Sequence, residues 1–181
     1  MNKSTNILID VPQHYQSEGD YACGPMAIRM VADYYYRLHK NSEMTATEWL
    51  QVLGLTMNND IWRKCGTKKE NVVIALKKLN FNTNIICGKN FDDKLQSIHE
   101  ALSRRRPVII YCVIKPTKRP YGHFAVVVGM NRNAVYIRDP YPGNKNIKRP
   151  KKININIFKN IIPKAGQLVW GRVQWGVEIA K

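Results

Sequence analysis

The sequence predicts an α+β protein in which a helical first half packs on an antiparallel sheet from the second half. Three observations carry this. Met26, Ala27, Met30, Val31, Tyr34, Tyr35 and Leu38 recur at helical spacing. Two Thr-x-x-Glu boxes, Thr45/Glu48 and Thr67/Glu70, each stand before a further apolar-periodic stretch. From Pro107 onward the pattern changes to short β-branched and aromatic runs punctuated by turn residues, which is strand chemistry. With 181 residues, 44% hydrophobic and 23% charged, the chain fits one ordered domain over 1–181, its helical half about 12–105 and its sheet half about 106–181.

Taken in order, residues 7–11 read as a short strand closed by Pro12, and 13–20 as a polar loop. A long helix spans about 23–39; Pro25 is tolerated there because the first turn has no use for its missing N–H. The two boxes begin short amphipathic helices. A strand at 81–87 and a helix at 92–105 follow, then strands at 107–114, 123–129 and 134–139. Residues 140–152 are a loop rich in Pro, Gly and Lys. Residues 153–162 alternate Ile and Asn, which leaves strand and helix both open, and 167–180 closes the sheet.

The net charge of +16 is concentrated in one half. Residues 1–100 hold 12 Lys/Arg and 11 Asp/Glu, a balance of +1; residues 101–181 hold 17 against Asp139 and Glu178 alone, a balance of +15. Such asymmetry implies an acidic partner: nucleic acid, an anionic membrane surface or an acidic protein. The basic runs at 115–119 and 144–152 lack the interleaved aromatics of a base-stacking platform, which counts against nucleic acid. Cys23, Cys65, Cys87 and Cys112 form no C-x-x-C pair or Cys/His knuckle, so neither a zinc site nor any cofactor is expected, nor are disulfides. No apolar run is long enough to cross a membrane as a helix. The first residues lack the apolar core of a signal peptide, so the protein is expected to be cytoplasmic as synthesised, with any export by a signal-independent route.

The chemistry begins at Cys23. It precedes Gly24-Pro25 at the head of the long helix, where unpaired N–H groups and the helix dipole favour thiolate. His123 heads a strand directly after Gly122, so its ring can project from the sheet's end; Asp139, before Pro140, ends the next strand. Strand parity tests the pair. A three-residue turn at 131–133, or an equivalent bulge, puts both side chains on one face, whereas a plain two-residue turn separates them. Cys23 then serves as nucleophile, His123 as base and Asp139 as its orienter. The Cys23 N–H supplies one oxyanion donor, and a glutamine of the preceding loop, Gln16 or Gln13, the other.

Gln16 in the approach loop, Cys23-Gly-Pro-Met-Ala opening a helix, Gly122-His-Phe-Ala-Val-Val-Val-Gly, and Asp139-Pro140 together resemble the bacteriocin-processing (double-glycine leader) peptidases of the papain-like fold. The resemblance implies a papain-like cysteine peptidase with catalytic Cys23, His123, Asp139 and Gln16, acting on a peptide through a covalent thioester. No transporter segments accompany the match, so the chain reads as a stand-alone enzyme. The same triad also serves glutamine deamidases and acyl transferases of the effector or toxin type, and related thiol-free domains merely bind leader peptides.

Overall fold

The computed structural model describes residues 6–17, 21–40, 42–57, 67–86, 90–113, 122–141, 149–161 and 176–181. The elements in order are β1 (Ile7–Leu8), α1 (Cys23–Lys40), α2 (Ala46–Thr56), α3 (Lys69–Lys78), β2 (Asn82–Ile86), α4 (Phe91–Ser103), β3 (Val108–Val113), β4 (Gly122–Asn131), β5 (Ala134–Arg138), β6 (Lys151–Asn154), α5 (Ile155–Ile161) and β7 (Gly176–Ala180). Helices and an antiparallel sheet form the α+β architecture of the papain-like class.

The helices begin and end for identifiable reasons. Thr45 and Glu48 form the expected capping box at α2. Asn90 and Asp93 build another at α4, where none was anticipated. At α3 the Thr67 box does not form: Lys68 is the N-cap, and the Thr67 side chain packs against Gly24 instead. Asn80 and Arg105, with φ of 62° and 57°, close α3 and α4 in left-handed caps, and Phe81 N–H and Arg106 N–H reach back to Leu76 and Ala101 carbonyls.

The sheet runs β2-β7-β3-β4-β5-β6, with β1 added beside β4. All the pairings are antiparallel. The sheet therefore draws β1 and β2 from before residue 106, the two stretches at 7–11 and 81–87 that read as strands. The alternating 153–162 segment splits, its first residues completing β6 and the rest coiling into α5. Lys151 and Lys152, expected in a loop, belong to β6.

α1 lies on β4, and its buried Ala27, Met30 and Val31 belong to one core cluster with Val126, Val127 and Val128 of the strand. Tyr34 Oη donates to Arg105 O at 3.0 Å and Tyr35 Oη to Ile179 O at 2.5 Å, so two phenols of α1 satisfy backbone carbonyls, one at the end of α4 and one in β7. The helix carrying the thiol is thereby fixed relative to the sheet.

The β4–β5 hairpin decides the site. Its turn is two residues, not three: Asn131 pairs with Ala134, and Asn131 Oδ1 accepts from Asn133 N and Ala134 N. Taken alone, this turn places His123 and Asp139 on opposite faces. A bulge at Val128, between the Gly129–Tyr136 and Val127–Ile137 pairs, shifts the register by one residue and restores their common face. The bulged Val128 carbonyl accepts from Ile9 N at 2.8 Å, so the segment leaving β1 secures it.

Candidate active site

Cys23 is the first residue of α1 and is 8% exposed. The residue after it must be small. A Cβ on Gly24 would stand 2.6 Å from the Cβ and Oγ1 of buried Thr67. The residue before His123 is under the same constraint, because a Cβ on Gly122 would stand 1.5 Å from Tyr111 Oη. Tyr111 packs edge-on against Phe124 and carries Lys69 Nζ 4.4 Å from its ring centre. Burial pushes the Tyr111 phenol up, and the nearby Cys23 sulfur adds to this.

His123 Nε2 lies 2.8 Å from Asp139 Oδ1, with both side chains buried. The Cys23 sulfur acts on the same ring and helps to raise its pKa. With Nε2 committed to Asp139, Nδ1 is the ring nitrogen left for the thiol. Burial alone would lower the imidazole, but the Asp139 hydrogen bond and the Cys23 sulfur outweigh it and hold His123 up at about 9. Asp139 is opposed by burial too, yet His123 and the Tyr141 N–H, 2.9 Å from Oδ1, keep it below its ordinary value.

The approach loop is fastened to both sides of this arrangement. Arg138 Nε donates to Val11 O at 3.0 Å, Gln13 Nε2 to Asp139 O at 2.9 Å, and Gln16 N to Pro140 O at 2.9 Å. From the helix side, His14 Nε2 meets Asp33 Oδ2 at 2.6 Å. Asp33 is fully buried in α1, and its other oxygen accepts from Met44 N at 2.6 Å. Burial opposes the Asp33 charge, but the bonds from His14 and Met44 N, with nearby Arg29, hold its carboxyl below the usual range. Gln16, the residue this strap carries to the site, is 8% exposed.

Cys23, His123 and Asp139 are thus brought together, and Gln16 is tied to the same corner. Gln13 spends its amide on the carbonyls of His14 and Asp139. Sequence reading passed over His14 as a loop histidine, did not single out Asp33 or Tyr111, and took Thr67 only as the start of a capping box. The available signal was Asp33 itself, a carboxylate on the apolar side of α1, which burial permits only with partners. Cys112, opposite His123 on β3, is a buried free thiol pushed far up by burial; Cys65 and Cys87 lie outside the described residues. Among the described residues no cluster could hold a metal ion, and no helix is long and apolar enough to cross a membrane.

Solved structures share this architecture. The peptidase domain of Streptococcus ComA, a bifunctional ABC transporter involved in a quorum-sensing pathway, is 22% identical with a TM-score of 0.62, covering 94% of this chain and 98% of its own. A C39-like peptidase from Bacillus anthracis is 16% identical with a TM-score of 0.63, covering 98% of each chain. The Streptococcus mutans ComA peptidase domain is 18% identical with a TM-score of 0.52, covering 93% of this chain and 98% of its own. No curated protein matches the chain. The Peptidase_C39 like family model matches residues 8–166, and over that span, which holds the thiol, the imidazole and the carboxylate described above, the chain belongs to this family of cysteine peptidases.

Proposed function

We propose that the whole chain is one catalytic domain that hydrolyses a peptide through a Cys23–His123–Asp139 triad. The observation that carries the reading is the buried His123–Asp139 pair, Nε2 to Oδ1 at 2.8 Å, on an imidazole that the Cys23 sulfur also raises. His123 takes the thiol proton as Cys23 Sγ attacks the scissile carbonyl. The oxyanion accepts from the Cys23 N–H and the Gln16 side-chain amide. Its collapse breaks the C–N bond, and His123 gives its proton to the departing amine, leaving a thioester on Cys23. Water, deprotonated by His123, attacks that thioester, and the thiol is regenerated as the acid leaves. Asp139 holds the ring in the required orientation and stabilises its cation. Gln13, whose amide already serves backbone carbonyls, acts as a brace.

The substrate class closest to the sequence resemblance is a peptide leader ending in two glycines, cut on their C-terminal side. The test is Cys23→Ala. Hydrolysis of such a peptide should disappear while the thermal midpoint stays put, and a thiol alkylator should label Cys23 ahead of Cys112. Retained hydrolysis in the variant, or faster labelling of Cys112, overturns the triad. A glutamine deamidase would use the same residues; conversion of a side-chain amide to acid without chain cleavage, seen by mass spectrometry, would favour it instead.

A further inference from the structure

A cavity of about 250 Å³ adjoins the His123–Asp139 pair. Ala125, Ile137 and Ile153 give it an aliphatic floor, His123 and Asp139 form one wall, and Lys151 and Lys152 are part of its lining. Both lysines are exposed, and no ion pair engages either among the described residues. The register explains the place of Lys151, which pairs with Ile137, two residues from Asp139, whereas Lys152 pairs with Tyr136. The Asp139 charge in the wall is bonded by His123 and the Tyr141 N–H; Lys151 adds a longer-range attraction to it but makes no ion pair with it.

Chemistry says which part of a substrate reaches this cavity. In thiol hydrolysis the acyl fragment bonds to sulfur, while the leaving amine is the fragment that receives the proton from imidazole. The cavity is lined by His123 and Asp139, and Cys23 is not among its lining residues. It therefore lies on the leaving-group side. An aliphatic floor beneath cationic groups suits a side chain with a short methylene stem and an anionic head.

We propose that this cavity is a leaving-group subsite selecting an acidic side chain, best glutamate, at the first or second residue after the scissile bond; the assignment rests on the peptidase reading above. It adds to recognition on the acyl side a second determinant on the released fragment, and it gives part of the basic half a defined role.

The test uses the full chain and C-terminally amidated peptides, so that only a side-chain carboxylate can answer. A mixed peptide library is digested and the new N-termini are read by mass spectrometry. Glutamate and aspartate should be enriched at one of the first two positions. Glu should exceed Lys by about fivefold in kcat/KM for matched peptides, the upper end of one modest ion pair. Lys151→Glu/Lys152→Glu should reverse that ratio, a comparison in which any general loss of activity cancels. Binding of amidated peptides beginning with Glu or Lys to the Cys23→Ala variant gives the same ratio without turnover. Cleavage without acidic preference, or a ratio that survives charge reversal, overturns the subsite and leaves the peptidase intact. Absence of cleavage together with an unlabelled Cys23 overturns the peptidase reading. If cleavage is absent but Cys23 labels, the binding ratio decides the subsite, and equal binding of the Glu and Lys peptides overturns it.

Discussion

Asp139 is the residue that makes His123 unusual. Its carboxylate is the largest influence raising the imidazole toward about 9 against the burial that lowers it. The stabilisation His123 draws from the pair is complete below the ordinary value of 6.5 and is lost as pH rises through about 9; Asp139, held below 3.8, contributes above that value and loses its share as pH falls through its lowered one. Asp139→Asn should therefore shift the alkaline limb of Cys23 alkylation to lower pH and cut turnover on the order of 10²- to 10⁴-fold, checked by pH-resolved labelling and initial rates. An unmoved limb would refute the pairing. Gly24 carries a purely steric prediction. Gly24→Ala drives a methyl into Thr67 and should cost about 1–3 kcal/mol in denaturant unfolding, with part restored by adding Thr67→Gly.

Among the elements, the approach segment is the one whose importance exceeds its length. It has little regular structure beyond β1, yet Val11, Gln13 and Gln16 are bonded to the end of β5 and the turn after it, while His14 is bonded to α1. His14→Ala leaves Asp33 buried without one of its partners and frees the strap from the helix. A stability loss of about 1–3 kcal/mol is expected, together with a fall in kcat larger than any rise in KM, because Gln16 loses its placement. His14→Gln, which returns an amide N–H to the position, should recover part of kcat; an unchanged kcat in the Ala variant would show that the strap is held by β5 alone. Little of this was legible beforehand. Periodicity revealed α1, and Thr45/Glu48 revealed the start of α2, because both signals lie within a few residues of sequence. The Thr67 box looked the same but was overruled by packing on Gly24, 43 positions earlier. His14 and Asp33 are 19 residues apart, and no local pattern pairs them. The His123–Asp139 face was readable only as a condition on the hairpin, since a bulge leaves no mark in Val126-Val127-Val128.

Across the whole molecule, charge shows economy. The two acids of the basic half are both buried and both paired: Asp139 with His123, and Glu178 with Arg104 at 3.0 Å, Arg106 at 2.9 Å and Asn84 at 3.2 Å. Glu178 thereby joins β7 to β2 and to the end of α4. Burial opposes its charge, but Arg106, Asn84 and Arg104 hold its carboxyl below the usual range, so its contribution is present above about 4.5 and fades as pH falls through the lowered value. Glu178→Gln should lower the thermal midpoint at neutral pH and flatten its decline into acid; equal acid sensitivity in variant and parent would count against the role.

The bulge at Val128 has a consequence for how this chain can vary in length. Between His123 and Asp139 the strands must reverse direction and still present both side chains to the thiol. Adding or removing one residue anywhere in that stretch inverts the facing of one partner, unless a compensating change is made in the same stretch. Viable relatives should therefore differ here by even numbers of residues, or should trade a bulge for a longer turn. The spacing between base and orienter is then a quantity conserved modulo two, and Ile9, whose N–H holds the extra residue's carbonyl, helps to keep the count.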